Sequence, residues 1–389
     1  MRRLLLSAVL TAVALAGLGA QEPVGAPATP AAINAAINKL GSFDYPVRTD
    51  AARFLRRVPP DAAVPLLAAA ARSHTDEYVR YRALVLLAGL GDAAADPVMR
   101  AVMTDRNDRL RTVAFGWFEH HPDPGILPAL VEALSDERSE FVRPALTRAV
   151  AAQASDPRAR AALVPLIMRG EDLFRGAVIE ALGDYGARYA LPDITSVARL
   201  DGPLQDDAVT ALGKLGDAST LVVLAALQRS SAPDLQPTLS AALCLLDVGC
   251  DRQKEYLKTT LTAAMGDPQY QALLRGDVHA LAVLAVSGQK DALEALVEAG
   301  VPAKDPARAP IALAVGLVAL RNPLMILDVL EARQNRGPAV LLIRDAFDML
   351  SEDFEEERFY VAIRRAYWSA PDGSARREAA RGLIETLEF

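Results

Sequence analysis

The histidines are the first residues to consider for metal chemistry. His120 and His121 are adjacent, while His74 and His279 lie far from them in the sequence. Adjacent side chains on a helix point in different directions, so the pair is poorly arranged to bind one ion. No stretch offers three or four ligands at the spacing of a metal site. We therefore predict no metal site.

The two cysteines flank the end of one predicted helix. Gly249 occupies the expected left-handed C-cap, and the residue after such a glycine folds back onto the last turn, which would bring Cys250 near Cys244. A disulfide needs Cα atoms within about 7 Å and an oxidising compartment. Both a disulfide and a buried pair of small apolar residues are consistent with this pattern. A catalytic thiol lacks a helpful histidine nearby.

Other catalytic motifs are missing from the sequence. There is no G-x-S-x-G, no P-loop, and no G-x-G-x-x-G after a strand. The acidic groups Glu352-Asp353 and Glu355-Glu356-Glu357 are typical of helix starts, where the helix dipole favours negative charge. We predict no catalytic residue and no cofactor-binding residue.

Composition favours helices that pack through small side chains. Of 389 residues, 51% are hydrophobic and only 5% aromatic. The formal net charge is −7, and it becomes −9 if a segment carrying Arg2 and Arg3 is removed, because 40 basic residues then face 49 acidic ones. Binding to nucleic acid needs clustered Lys and Arg, so nucleic acid is not an expected partner.

The N-terminus is typical of a secretory signal. Arg2 and Arg3 precede an apolar run at 4–15, and small residues follow up to Ala20. The run is shorter than the roughly 20 residues that a membrane span needs. We expect a signal peptide at 1–20, cleaved after Ala20 or Ala16, then a Pro/Ala-rich leader at 21–30, and a periplasmic or secreted protein without a lasting membrane span. An anchor that is never cut is the alternative.

Regular turns divide the rest of the chain. Ile179–Asp217 contains two helical patterns that each end at Gly-x-x-Gly, and similar turns recur every 30 to 33 residues, with one interval of 39. The expected turns between repeats are Pro59, Gly91, Pro122, Ser155, Gly186, Gly216, Gly249, Gly288, Arg321 and Ser351. This period fits a pair of helices in a helical solenoid. In the longer interval, Met265–Pro268 and Arg275–Asp277 predict an extra break or inserted turn.

A second pattern supports the first. An apolar residue followed by arginine opens the second helix of four successive repeats, at Arg80, Arg111, Arg143 and Arg175. The residues three, six and seven positions after each arginine are mostly apolar, which places them on one face of a helix. The columns are Ala83, Ala114, Leu146 and Val178; Leu86, Trp117, Ala149 and Ala181; and Leu87, Phe118, Val150 and Leu182. No repeat could bury this face alone, so the array must be continuous.

These residues resemble HEAT repeats. The order Pro97, Asp105, Arg111, and again Pro128, Asp136, Arg143, is similar to the Pro, Asp and Arg signature of that family. The turns LLAGLGD at 86–92 and TALGKLGD at 210–217 resemble the shorter HEAT-like units named after phycobilisome lyases. The resemblance covers 50–249 best and is weaker afterwards. It implies that proline bends the first helix and that Asp and Arg form a ladder between repeats.

The arginines also have a physical explanation. A cation in the first turn of a helix is unfavourable toward the dipole, so its recurrence needs a cause such as charge-assisted pairing with Asp from the preceding loop or the next repeat. We interpret the four arginines as structural; a basic stripe that binds an anionic ligand is the rival hypothesis.

Aromatic residues concentrate near the C-terminus. Because a terminal repeat has no neighbour on its outer face, we interpret this group as a cap; a partner-binding end is the alternative. The group is Phe354, Phe359, Tyr360, Tyr367 and Trp368.

The sequence therefore predicts an all-α, right-handed α-solenoid of roughly ten helix pairs. Well-marked HEAT-like repeats occupy 31–250, and degenerate repeats with a C-terminal cap occupy 251–389. The expected function is a non-catalytic exported scaffold, without cofactor or metal, whose concave surface binds an unidentified protein or peptide.

We expect the positions five residues after each arginine to line that concave surface. They are Val85, Gly116, Arg148 and Glu180, whose mixed character indicates no particular ligand. The alternatives are a phycobilisome-lyase-like enzyme acting on a bilin, a structural subunit of an envelope assembly and a DNA-repair glycosylase. Acidic charge and export oppose the last.

Overall fold

A computed structural model of the chain describes residues 28–266, 271–350 and 353–389. The described residues are mostly helical and contain no β-strand, which confirms the predicted all-α repeat fold. The predicted signal peptide at 1–20 and positions 21–27 of the leader lie outside the described residues.

The α-helices of the described ranges are α1 (Pro30–Lys39), α2 (Tyr45–Arg57), α3 (Pro60–Ser73), α4 (Glu77–Leu90), α5 (Asp92–Val102), α6 (Asp108–His120), α7 (Leu127–Asp136), α8 (Arg143–Ala151), α9 (Pro157–Leu163), α10 (Asp172–Asp184), α11 (Leu191–Ala198), α12 (Gln205–Leu215), α13 (Leu221–Ser230), α14 (Gln236–Leu245), α15 (Cys250–Met265), α16 (Gln271–Val286), α17 (Lys290–Gly300), α18 (Arg308–Arg321), α19 (Pro323–Glu331), α20 (Gly337–Met349), α21 (Asp353–Ser369) and α22 (Ala375–Leu387). Short 3-10 segments precede or extend some of them at Val164–Ile167, Arg188–Ala190, Ala218–Thr220 and Pro233–Leu235.

Local sequence explains where many helices begin. Asp44, Asp76 and Asn107 accept hydrogen bonds from backbone N–H groups in the first turns of α2, α4 and α6. Proline lies in the first turn of several others, including α7, where its missing N–H costs no helical hydrogen bond. These short-range signals determine where the helices begin, and the helices then stack in successive repeats.

In the described ranges the helices form eleven successive pairs, in line with the roughly ten predicted. The predicted turns from Pro59 to Gly288 all fall between one pair and the next, and Arg321 ends α18 directly before α19. Ser351 lies outside the described residues. The repeat spacing read from the sequence is therefore confirmed wherever the structure describes it.

The long interval between Gly249 and Gly288 holds no inserted turn in its described part. Its helices α15 and α16 have 16 residues each, and their length accounts for the extra residues. Arg275–Asp277 lies inside α16, so the expected break there is wrong. Positions 267–270, which include part of the predicted break at Met265–Pro268, lie outside the described residues.

The two glycines of Gly-x-x-Gly have different roles. Gly186 and Gly216 adopt positive φ angles of 63° and 64° at the ends of α10 and α12, a conformation that L side chains rarely take. Gly183 and Gly213 lie inside those helices, and a Cβ on Gly213 would come within 2.6 Å of the Ala242 Cα on α14. The first glycine therefore permits close packing between second helices, and the second ends the helix.

The predicted apolar columns form the core. Ala83, Ala114, Leu146 and Val178 are all fully buried, and the other two columns are no more than 2% exposed. The column five residues after each arginine differs from expectation, because Val85 is 1% exposed and Gly116 is also buried. Arg148 is partly buried, whereas Glu180 is exposed.

The predicted arginine ladder links adjacent repeats by ion pairs at two of its four positions, Arg80 and Arg111. The Nη2 of Arg80 lies 2.5 Å from Asp105 in the next repeat, and the Nε of Arg111 lies 2.8 Å from Glu137 in the repeat after that. The acid that pairs with Arg111 is therefore Glu137 rather than its neighbour Asp136. Arg80 also donates to a carbonyl at the end of the preceding first helix, at 3.1 Å.

The other two arginines of the ladder make fewer contacts with the next repeat. Arg143 donates to the Glu137 carbonyl at 3.0 Å and stacks over Phe174 of the next repeat at 4.6 Å. Arg175 donates to the Ile167 carbonyl at 3.0 Å and pairs with Asp172 on its own helix. All four arginines therefore have structural partners.

The structure joins Cys244 and Cys250 in a disulfide, with Cα atoms 4.0 Å apart. Gly249 has the expected left-handed conformation, with φ at 58°. The fold-back predicted from the sequence therefore brings the two sulfurs together, and the reduced alternative is not the one observed.

The last helix pair folds back onto the first three pairs. We call this the closing contact; it comprises Arg53, Arg56, Gly89, Gly116 and His120 on one side and Phe354, Glu355, Glu357, Arg364 and Glu388 on the other. Helix α21 packs against α4, while α22 packs against α19 and α20. The array is therefore closed on itself, and Phe354 of its last pair covers Gly116.

A buried ion pair holds the centre of the closing contact. Arg56 donates to Glu357 at 2.6 to 3.0 Å, and the two side chains are only 6% and 3% exposed. Glu357 rests on Gly89, where an added Cβ would lie 2.8 Å from its carboxylate. The acidic group at 355–357 therefore joins distant repeats, which corrects its interpretation as an exposed helix start. Glu352 and the Asp353 side chain lie outside the described residues.

The C-terminal aromatics also belong largely to this contact. Phe354 is 8% exposed and packs on Gly116, where an added Cβ would lie 2.9 Å from its ring. Tyr360 stacks on Phe389 at 4.2 Å, and Arg56 lies over its ring at 5.0 Å. The prediction of a cap over a free outer face is wrong for these residues, because the first repeats lie against them.

Among the described residues, no single helix has the length and hydropathy to cross a bilayer. Helices α18 and α19 reach that length and hydropathy only when taken together, and they are bent by 115°.

Candidate functional site

A polar cavity of about 390 Å³ lies where the second helices converge. Its walls come from the C-terminal ends of seven second helices in succession, α6 to α18. Arg321 at the end of α18 reaches Glu119 at the end of α6, although 202 residues separate them in sequence. The curvature of the array therefore brings distant helix ends to one place, which we call the central cavity.

Five side chains form an alternating chain of charges along its wall, the charge network of Arg321, Glu119, Arg148, Asp184 and Lys214. Glu119 lies 3.2 Å from Arg321 and 2.8 Å from Arg148. Asp184 lies 2.7 Å from Arg148 and 2.5 Å from Lys214. Each acid is thus shared by two cations, and a cation stands at each end.

The helix ends explain why this network needs so many cations. Glu119 is the next-to-last residue of α6 and Asp184 the last of α10, positions where the negative end of the helix dipole disfavours a carboxylate. Glu119 is only 4% exposed, and its Oε1 also accepts from the Tyr185 hydroxyl at 2.8 Å. Three donors on one buried oxygen offset the loss of water.

The two central members of the network, Arg148 and Asp184, keep their charges near neutral pH. Burial alone would raise the pKa of Asp184, but Lys214 and Arg148 outweigh it and hold that pKa below its ordinary value. Burial would likewise lower the pKa of Arg148, yet Glu119 and Asp184 raise it. Burial, with Glu119 next, raises the pKa of Tyr185, which therefore stays a neutral donor.

The two neighbouring histidines point in different directions, as predicted. His121 stacks on Trp117, with ring centroids 3.7 Å apart, and bonds to its carbonyl. His120 Nε2 lies 2.9 Å from Glu355 Oε1 of the closing contact. Burial would raise the pKa of Glu355, but the hydrogen bond from His120 and the charge of Arg358 lower it to about 2.

Glu119, His120 and Glu355 offer atoms within 4.8 Å of one another, a grouping that could hold a metal ion. The sequence did not indicate it, because Glu355 comes from α21. Arg148 and Arg321 already contact Glu119, and Arg358 pairs with Glu355. These guanidinium groups compensate the carboxylates and would repel a cation, so the donor set is a poor fit to a metal.

Several residues of this site lie eight or nine positions after a ladder arginine, and this spacing could have indicated them. Counting from Arg111 gives Glu119 and His120, and counting from Arg175 gives Gly183 and Asp184. The column at five positions included Arg148 alone of the charge network. The helix period could place these residues on the inner face, but it could not show that α6 and α18 meet.

Comparison with known proteins supports the repeat assignment. A sequence profile described as HEAT repeats matches residues 33–115, from α1 into α6, which confirms the resemblance stated from the sequence. A search of curated proteins finds no match.

Solved structures with some similarity include YibA of Escherichia coli, at 18% identity, covering 56% of this chain and 82% of that chain with a TM-score of 0.42. Another is the complex of CpcE and CpcF of phycocyanin lyase from Nostoc sp. PCC7120, at 19% identity, covering 85% and 98% with a TM-score of 0.26. At these values, neither likeness bears on what this chain binds.

Proposed function

We propose that this HEAT-repeat protein is a non-catalytic scaffold that binds a segment of a protein or peptide in the central cavity. The observation that carries the proposal is that seven successive second helices contribute to one open polar cavity. Ligand sites in proteins are concave and usually enclose about 300 to 1,000 Å³. A cavity of about 390 Å³ is in this range, and it suits a short segment rather than a folded domain.

The closing contact narrows the proposal. Helix α21 covers part of the inner surface of the first repeats, so the long open groove expected from the sequence is shortened. A segment of the partner would bind where the inner helix ends stay accessible, in the central cavity. The folded part of the partner would remain outside the cavity.

The absence of catalysis is part of the same proposal. The acids of the charge network are each held by two cations, and the sequence contains no nucleophile motif. General acid–base work needs a group free to exchange a proton near neutral pH. Asp184, whose pKa is lowered, does not meet that requirement.

Location outside the cytoplasm is also proposed. The apolar N-terminal run at 4–15 and the disulfide between Cys244 and Cys250 support a periplasmic or secreted protein, because disulfides persist in oxidising compartments. Fractionation of the native cells would place the chain with periplasmic or secreted markers; recovery with cytoplasmic markers would contradict this.

Phage display of random peptides on the purified chain tests the binding role. Ser287 lines the cavity at the end of α16, so Ser287→Trp should fill it and abolish binding of the selected peptides. Ser230→Trp is the matched control, because Ser230 is exposed at the end of the first helix α13. The proposal fails if no peptide is enriched, or if the two variants bind the peptides equally well.

A further inference from the structure

We propose that the central cavity recognises a carboxylate of the bound segment through the N–H donors of its two terminal cations, Lys214 and Arg321. This inference rests on the proposed binding function and specifies the chemistry of its ligand. It depends on three features of the charge network: which groups still have unused hydrogen-bonding capacity, what net charge they carry, and how accessible they are.

The acids of the network have little capacity left for a ligand. Both oxygens of Asp184 are occupied, one by Lys214 and the other by Arg148. Glu119 is 4% exposed, and its Oε1 accepts from three groups. A ligand that arrives as a hydrogen-bond donor therefore meets acids in which three of the four carboxylate oxygens are already taken.

The terminal cations have capacity to spare. A lysine ammonium has three N–H donors and an arginine guanidinium five. Among the described residues, Lys214 makes an ion pair with Asp184, and Arg321 contacts Glu119 through Nη1 alone. Arg321 is 33% exposed and Lys214 12% exposed, and both side chains line the cavity. The unused groups that face an incoming ligand are N–H donors, so the ligand must supply acceptors.

The net charge of the cavity wall also favours a ligand with a carboxylate. The charged side chains that line the cavity are three cations and two acids, the five members of the network, which gives its wall a net charge of +1. Glu180 also pairs with Arg148, at 3.9 Å, but it is 56% exposed and does not line the cavity, and nearby Glu355 is matched by Arg358. One carboxylate would bring the network to neutrality. A metal cation would add to its positive charge, and a phosphate dianion would leave excess negative charge beside Glu119 and Asp184.

The carboxylate could come from the end of a peptide or from an Asp or Glu side chain. Arrays of random hexapeptides distinguish these sources in three series: a free C-terminus without acidic residues, an amidated C-terminus without acidic residues, and an amidated C-terminus with one Asp or Glu. We expect at least one carboxylate-bearing series to bind about tenfold more tightly than the neutral series. The series that binds identifies the source.

Variants tie that preference to the cavity. Lys214→Met and Arg321→Met should each remove most of the preference for carboxylates, and Lys214→Arg should retain it because the charge remains. Lys290→Met is the matched control, since Lys290 is 44% exposed at the start of α17. Thermal melts confirm that each variant is folded.

The possible failures are distinct. Equal binding of neutral and carboxylate-bearing peptides would overturn the carboxylate site and leave the binding scaffold intact. A preference unchanged in both Met variants would also overturn it. Absence of binding in every series would overturn the proposed function itself.

Discussion

Two kinds of contact hold this molecule together, and they are built differently. Successive repeats meet through small apolar residues, as where Gly213 packs against Ala242. The closing contact combines the packing of Phe354 on Gly116 with a buried charge pair, Arg56 and Glu357, at its centre. The first kind repeats every thirty-odd residues, whereas the second occurs once, between residues 301 apart in sequence.

The difference shows what each contact can do. Apolar packing between neighbours stabilises every repeat in a similar way and would tolerate more or fewer repeats. A buried ion pair adds little net stability over a hydrophobic pair, but a mismatched partner leaves an uncompensated charge. The closing contact is therefore suited to fix where the array ends against its own beginning. The predictions below test this contrast.

The largest effect should come from Glu357→Ala. It leaves the Arg56 guanidinium, 6% exposed, without its carboxylate, and breaking a buried pair in this way costs about 3 to 5 kcal/mol. We expect α21 to exchange its amide hydrogens much faster, while α10 to α14 keep their protection. Glu385→Ala on exposed α22 is the control. Unchanged exchange in α21 would show that the pair does not hold the closing contact.

Replacing a buried acid that has no cationic partner among the described residues should have the opposite effect and stabilise the fold. Asp277 in α16 is fully buried; one carboxylate oxygen accepts from Thr260, and burial raises its pKa to about 6. The unfolded chain ionises near the ordinary value of 3.8, so stability falls as pH rises from there through about 6. Asp277→Asn should therefore stabilise the fold by about 2 to 3 kcal/mol at pH 7 and hardly at all at pH 3.5.

Urea unfolding at the two pH values measures this effect. A gain of equal size at both would mean that ionisation of Asp277 is not the cause. Destabilisation at pH 7 would mean that the Asp277 carboxylate is better accommodated than its surroundings indicate.

Filling a gap between second helices should have an intermediate effect. Gly213→Val places a side chain where even a Cβ would lie 2.6 Å from the Ala242 backbone, and overpacking of this kind costs about 1 to 3 kcal/mol. Gly202→Val is the matched control, because nothing lies within 4 Å of a Cβ there. Thermal unfolding should separate the two variants; equal melting temperatures would contradict the close helix packing.

The smallest effect should come from the arginine ladder. Arg111→Ala removes ion pairs to Glu137 and Asp108 and a bond to the Asp105 carbonyl, and should cost about 1 to 2 kcal/mol. Arg143→Ala should cost about 1 kcal/mol, since it loses one carbonyl bond and the stack on Phe174. Arg229→Ala on exposed α13 serves as the reference. If neither ladder variant is less stable than the parent protein, a binding role for these arginines would be favoured instead.

The sequence predicted what depends on the period of the chain. The turns from Pro59 to Arg321 and the buried columns follow from spacing, and the structure confirms them. Of the arginine ladder, it confirms the ion pairs between repeats at Arg80 and Arg111. Arg275–Asp277 was misread as a break because its composition is typical of turns. Thr260 on the partner helix α15 satisfies one Asp277 oxygen inside the repeat.

Sequence periodicity could not predict the closing contact or the central cavity. Their residues, such as Glu119 and Arg321, come from helices far apart in sequence, and no periodic pattern links them. Whether an array remains an open arc or curls until its ends meet depends on small rotations that accumulate over many repeats. Val85 and Gly116 accordingly seemed accessible in the sequence, although both are buried and Phe354 of α21 lies against Gly116.

The distance between the two ends tests closure most directly. Spin labels at Asp50→Cys on α2 and Glu385→Cys on α22 would occupy exposed positions within a turn of Arg53 and Glu388, which are in contact; the native cysteines are bonded to each other. Pulsed electron resonance should give a narrow distribution near about 20 Å, since a helical turn rises about 5.4 Å. Because neighbouring helices pack about 10 Å apart, an open arc would separate the labels by more than about 60 Å. Distances of that size would contradict the closed array.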